Sequence, residues 1–421
     1  ATSARDIERY FTRSERSQDS ALEREAKAWA TAGGRRRAYP AVAAAAQESL
    51  RAAAALGHRP VIASTEVPET EPPPLVRYYP NLGLALGTVT REGLDELIAD
   101  PQVDEVIGTP QLSLIRPTKV AAAKLEQLVT WGIAALDVPE LWSQGLSGEG
   151  VVVGHLDTGA DGTHPGLADA IGHFAEFDFL GRQVVPDPAP HDTDEHGTHT
   201  AGTIAGRSVD GKSFGVAPAA KLASAIVIEG GQVIARILGG MDWIVGQGAR
   251  VLSMSLGLRG FMDDFEPLTR ILRANGVLPV FAIGNEGPGT SRSPGNYSEA
   301  LSVGAMDTNH GIASFSSSHQ FDREQDAVVP DVVAPGADVV SAKPGGGFQL
   351  MDGTSMATPH VAGLAALLLQ AKPSATVDEL EQALFRSCAL EPGWRTERAG
   401  RGLPHGPAAL MILTEGAGVQ G

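Results

Sequence analysis

Short aliphatic runs alternate along most of this chain with stretches whose aliphatic positions recur every three or four residues. Val151-Val152-Val153-Gly154-His155-Leu156-Asp157 is apolar up to a terminal carboxylate and reads as a buried strand. Val233, Ile234, Ile237, Leu238, Met241, Ile244 and Val245 fall on one helical face. Residues 251–256 read as a strand and 265–274 as a helix, with Asn275-Gly276 as its stop. Residues 277–283 and 301–305 read as two more strands. Residues 361–369 are almost wholly aliphatic and predict a buried helix, with Pro359 in an early turn. This rhythm predicts an α/β fold: a mostly parallel, doubly wound sheet with helices on both faces.

The N-terminal part reads differently. Residues 1–56 are rich in Arg, Glu and Ala and helix-prone, most strongly over 43–55. Arg35-Arg36-Arg37 reads as a solvated linker. Residues 57–115 read as a small α+β unit. It has a proline-rich loop at 68–74, a strand at 82–89, a helix at 90–99 ended near Asp100-Pro101, and a strand at 103–107. Residues 116–130 read as a linker. The expected division is an extension over 1–56, a small α+β domain over 57–125 and a large α/β domain over 126–421.

Composition narrows the picture. The 421 residues suffice for one large domain and one or two small units. A net charge of −17 argues against nucleic acid as a partner. No run of eighteen apolar residues occurs, so no membrane span is expected. The single cysteine, Cys388, excludes an intrachain disulfide and a thiolate-rich zinc site. No apolar leader follows Ala1, so the sequence as it stands predicts no secretory signal.

Three segments carry candidate chemistry. Gly353-Thr354-Ser355-Met356-Ala357-Thr358-Pro359-His360 puts a serine at the mouth of the apolar helix. Unpaired N–H groups and the positive dipole end there suit a developing oxyanion, although serine also caps helices for structural reasons. Asp157 ends the strand 151–157. His196, in Asp194-Glu195-His196-Gly197-Thr198-His199, opens a small-residue helix. A serine hydroxyl needs an adjacent base, and the base needs an orienting group.

With Asp157, His196 and Ser355 in that order, the chain resembles the subtilisin-like (subtilase) serine proteases from about residue 57 to about residue 410. The resemblance implies a serine endopeptidase acting through an acyl-enzyme. Asp157, His196 and Ser355 would be its triad and Asn285 an oxyanion donor. His199 would be structural, and His155 a hydrogen-bonded core residue. Ser255, Leu256 and Gly257 would form one substrate-pairing edge, with Gly230 and Gly231 on the other. Ala282, Gly284 and Glu286 would line the binding region. The small domain resembles a subtilase propeptide, which implies an inhibitory partner besides peptide or protein substrate, and self-cleavage near Leu125-Glu126-Gln127.

Two departures stand out. Many relatives carry a calcium-binding aspartate after His-Pro, where this chain has Gly166. The 207–214 loop adds only Asp210, so calcium, which takes six to eight oxygens, has a ligand-poor site here. No metal ligand and no required cofactor are expected. Relatives usually have glycine at the floor of the primary specificity pocket, where Arg292 stands. Arg292 predicts a preference for an acidic residue before the scissile bond, unless Glu286 pairs with it or it points to solvent. The alternatives are a protease dedicated to one leader or precursor peptide, and a non-catalytic peptide-binding pseudoprotease. Secretion, implied by the resemblance, and a cytoplasmic location both stand as expectations.

Overall fold

The chain divides between Pro110 and Gln111 into two units. The structure, a computed structural model, describes residues 8–13, 76–89, 91–101, 103, 105–108, 112–184, 188–228, 233–323 and 327–415. The helix expected over 43–55, the loop over 68–74 and the Arg35–Arg37 run lie outside these residues. The division falls ahead of the expected boundary at 125/126, because residues 113–123 are strand-paired within the second unit.

The first unit is an antiparallel sheet with one helix. Its strands are β1 (Glu8–Arg13), β2 (Val76–Tyr79), β3 (Leu84–Val89) and β4 (Glu105–Gly108), in the order β2-β3-β1-β4. The helix Arg91–Ala99 lies between β3 and β4 in sequence, as its pattern predicts. The expected helical character of residues 1–56 fails at β1. Tyr10, Phe11 and Thr12 favour extended backbone, and their ladders to β3 and β4 decide the conformation.

The second unit begins with β5 (Ser113–Leu114), at the end of the stretch read as the small α+β unit, and β6 (Lys119–Ala123), where a linker was expected. Then follow β7 (Val152–Asp157), β8 (Ile171–Glu176), β9 (Lys221–Ile226), β10 (Val251–Met254), β11 (Leu256–Arg259), β12 (Leu278–Ala282), β13 (Arg292–Ser293) and β14 (Leu301–Met306). The last are β15 (His319–Gln320), β16 (Val328–Val329), β17 (Val332–Pro335), β18 (Val339–Ala342) and β19 (Phe348–Asp352). A seven-stranded parallel sheet runs β17-β14-β12-β10-β7-β9-β8. This is the expected α/β architecture.

Period-two alternation explains why helices cover both faces. Val153, Leu222, Val251, Val280 and Val303 share one core with the helices His196–Ala205 and Thr354–Ala371. The alternate strand residues face the helix Ile234–Gly246. A Cβ on Gly154 would meet Ile244 Cδ1 at 2.6 Å, and one on Gly240 would meet Val227 Cγ1 at 2.7 Å. Thr354–Ala371 is buried from Thr354 to Leu369 and forms the hydrophobic centre. Burying each of its leucines contributes about 1.5–3 kcal/mol. Pro359 sits inside this helix, so the Ser355 carbonyl loses its usual helical donor; Ser255 Oγ approaches it at 3.5 Å.

Candidate active site

The parallel sheet brings its loops together at the carboxyl ends of its strands, where α/β proteins build sites. Asp157 ends β7, His196 opens its helix, and Ser355 stands in the first turn of Thr354–Ala371. All three are buried. His196 Nδ1 lies 2.8 Å from Asp157 Oδ1, which also accepts the Thr158 N–H at 2.7 Å. Ser355 Oγ does not donate to His196. It donates to the Ile115 carbonyl at 2.7 Å, and His196 Nε2 has no hydrogen-bond partner among the described residues.

Electrostatics poise the pair. Burial works against protonating His196. The charge and hydrogen bond of Asp157, helped by Asp192 and Asp194, outweigh it and raise the imidazole above its ordinary value. Burial likewise pushes Asp157 up, but His196 overcomes this and holds the carboxyl below its usual range. His199 is pushed down to about 3 by burial and contacts the Val339 carbonyl through Nε2 at 3.0 Å.

The helix carrying His196 is fixed by residues that the sequence reading overlooked. Asp192 Oδ2 accepts the N–H and hydroxyl of Thr198, both at 2.6 Å, and Asp192 Oδ1 accepts the Thr158 hydroxyl at 2.7 Å. A carboxylate just ahead of a helix is a capping signal, so Asp192 was findable. Thr158 Oγ1 in turn accepts the Gly197 N–H at 2.9 Å. A Cβ on Gly197 would meet the Gly159 carbonyl at 2.1 Å, so glycine is required there.

Asn285 is oriented by Thr354. Its Oδ1 accepts the Thr354 N–H at 2.9 Å and the Thr354 hydroxyl at 3.0 Å. This turns Nδ2 to the Arg116 carbonyl, 2.9 Å away. The expected edge Ser255-Leu256-Gly257 is occupied by the chain itself. The Ile115 N–H donates to the Ser255 carbonyl at 3.0 Å, and β5 pairs antiparallel with β11. Beyond the Ile115–Arg116 bond, β6 pairs antiparallel with β19. Nothing in the hydrophobic pattern marked this segment. Gly230 and Gly231 lie outside the described residues.

Arg292 is 7% exposed and does not point to solvent. A Cβ on Gly257 would lie 3.0 Å from Arg292 Cβ, and one on Gly284 would lie 3.1 Å from Arg292 Cγ, so the arginine stem fills the space between these glycines. Its Nη2 and Nε meet Glu286, with Nε 3.1 Å from Oε1, and Nη1 donates to the Gly257 carbonyl at 3.2 Å. Burial raises the Glu286 carboxyl, but the hydrogen bond and charge of Arg292 hold it below the usual range. Ala282 ends β12 beside this region.

The position where many relatives carry the calcium-binding aspartate has no space for that side chain. A Cβ on Gly166 would meet Phe214 Cζ at 2.5 Å and the Arg207 carbonyl at 3.0 Å, so a carboxylate has no room. Instead Lys212 Nζ donates to the Leu125 carbonyl at 2.6 Å, and the Ser213 N–H donates to the Leu128 carbonyl at 2.8 Å. An ammonium thus ties this loop to the segment before Trp131.

Comparisons with known proteins agree with the geometry. Residues 148–405 match the family described as the subtilase family. Subtilisin Savinase of Lederbergia lenta is 38% identical over 285 residues, covering 67% of this chain and 99% of that protein. M-protease of Shouchella clausii (strain KSM-K16) is 38% identical over 279 residues, 66% of this chain and 69% of its own length. Bacillopeptidase F of Bacillus subtilis (strain 168) is 30% identical over 383 residues, 81% of this chain and 26% of its own length.

Proposed function

Because the chain belongs to the subtilase family and is a serine endopeptidase, we propose that Ser355 is its nucleophile, His196 the general base, Asp157 the orienting carboxylate and Asn285 an oxyanion donor. Rotation of Ser355 Oγ from the peptide carbonyl to His196 Nε2 completes the proton path. Attack on the carbonyl carbon then passes the serine proton to His196. The oxyanion is held by the Ser355 backbone N–H and by Asn285 Nδ2 once it leaves the Arg116 carbonyl for the reacting one. His196 returns its proton to the leaving amine, and water hydrolyses the acyl-enzyme by the same steps.

One observation carries this reading. The carbonyl of Ile115, a residue whose N–H pairs with the Ser255 carbonyl, accepts from Ser355 Oγ while His196 Nε2 is left free to accept a proton. Fluorophosphonate labelling of wild type and its loss in Ser355→Ala, together with loss of peptide hydrolysis, is the test. Turnover surviving in Ser355→Ala refutes it.

The same contact supports self-cleavage at Ile115–Arg116 in place of the junction expected near Leu125-Glu126-Gln127. Ile115 precedes the bond, its N–H pairs with Ser255, and the chain is strand-paired on both sides. The residues ahead of Arg116 would then serve as the inhibitory propeptide. The acidic preference expected from Arg292 meets a competitor in Glu286, which already supplies a carboxylate. The pocket we propose is short and near neutral, suited to a β-branched aliphatic residue such as Ile115.

A further inference from the structure

A polar chain lies behind Asp157, inside the sheet. His155 stands two residues before Asp157 on β7 and faces Ser224 across the ladder to β9. Its Nδ1 is 2.9 Å from Ser224 Oγ and its Nε2 is 2.8 Å from Thr200 Oγ1. Thr200 comes from the second turn of the His196 helix. All three side chains are at most 1% exposed. Their strand neighbours Val153, Leu156, Leu222 and Ala225 are fully buried aliphatics, so packing alone gives no reason for a histidine and two hydroxyls here.

Asp157 Oδ1 is taken by His196 and by the Thr158 N–H. The neighbours of Asp157 Oδ2 are Thr200 Oγ1 at 3.4 Å and His155 Nε2 at 4.0 Å. The nearby carboxylate favours the tautomer with its proton on Nε2. Ser224 then donates to His155 Nδ1, and His155 Nε2 donates to Thr200 Oγ1. The Thr200 proton has the carbonyls of His196 at 3.2 Å and Gly197 at 3.1 Å within reach, but Asp157 Oδ2 is the charged acceptor. Burial keeps the His155 ring neutral, lowering it to about 4.

We propose that Ser224, His155 and Thr200 form a buried hydrogen-bond relay that holds the second carboxylate oxygen of Asp157 and thereby sets the basicity of His196. These are positioning residues; none reaches the substrate. The inference rests on the Asp157–His196 assignment. The titratable groups facing the relay are Asp157 on β7 and His196 on the helix, with Asp192 and Asp194 in the loop before it.

The experiment compares Thr200→Val, which removes only the hydroxyl, with Thr200→Ser, which keeps it, and adds His155→Gln. Active sites are titrated with a fluorophosphonate so that misfolded protein is not counted. Then kcat, KM and the acid limb of kcat/KM are measured. A lost hydrogen bond to a charged group predicts a fall in kcat of about tenfold in Thr200→Val, with KM unchanged. The acid limb moves to higher pH, because a carboxylate with one donor fewer holds the imidazolium proton more tightly. Thr200→Ser restores both, and His155→Gln shifts the limb in the same direction. Wild-type kcat per active site and an unmoved acid limb in Thr200→Val overturn the proposal, whatever happens to its melting temperature. Failure of Thr200→Ser to rescue also overturns it. Turnover surviving in Ser355→Ala would sink the triad assignment instead, a separate result.

Discussion

Arg292→Gly is the sharpest perturbation of substrate choice. It removes a stem wedged between Gly257 and Gly284 and a guanidinium paired with Glu286. The vacated space can take a larger side chain, and each added methylene in an apolar pocket is worth about 1–3 kcal/mol, or about 10–200-fold in kcat/KM. Phe should therefore gain on Val by at least about tenfold in the variant. The cost is a stranded Glu286. Breaking a fully buried pair costs about 3–5 kcal/mol. Here the loss should be smaller, since Glu286 is 18% exposed and keeps Arg259 at 3.4 Å and the Asn285 N–H at 3.1 Å. Arg292→Gly/Glu286→Gln should recover part of that stability and keep the Phe preference. The assay is kcat/KM on matched peptides with Val, Glu, Leu or Phe before the scissile bond. Wild type preferring Phe to Val refutes the filled pocket, as does an unchanged ranking in Arg292→Gly. Wild type preferring Glu to Val by tenfold or more refutes the neutral pocket and favours an acidic preference.

Wild type should generate a fragment whose N-terminal residue is Arg116, read by mass spectrometry, whereas Ser355→Ala stays whole; cleavage after Glu126 would move the junction back to the linker. The acid limb of kcat/KM should lie above the ordinary imidazole value of about 6.5, because His196 is raised. Asp194→Asn, which removes one of the charges raising His196, should lower that limb, and an unmoved limb counts against the assignment. EDTA should leave the melting temperature unchanged, while Lys212→Met, which cuts the bond to Leu125, should cost about 1–2 kcal/mol. A drop with EDTA that calcium alone reverses overturns the calcium argument. His155 and His360 are held near pKa 4 by burial, below the ordinary value. Their share of stability is therefore complete above about pH 6.5 and lost as pH falls toward 4, at about 1.4 kcal/mol per pH unit for each proton taken up on unfolding. Urea midpoints of wild type and His360→Gln across that range test it, since the variant should show the shallower slope.

The hydrophobic pattern by itself determined the α/β alternation. The strand at 251–254 and the helix at 266–274 are legible because burial on both faces of a parallel sheet demands continuous aliphatic runs, and because helices need an apolar stripe; the run to Leu256 overran into β11, which only its pairing separates. The local motifs around Asp157, His196 and Ser355 were equally legible, since each depends on a strand end or helix start within a few residues. Tertiary structure decided the rest. Residues 113–123 carry no strong period, and only pairing with β11 and β19 makes them strands across the site. Residues 8–13 are drawn from a helix-prone context into a sheet by partners far along the chain. The pairing of Arg292 with Glu286, the Phe214 ring over Gly166, and the relay through His155 join side chains from different elements. Local sequence fixes backbone preference and periodicity. Distances between side chains on separate elements follow only from how those elements pack.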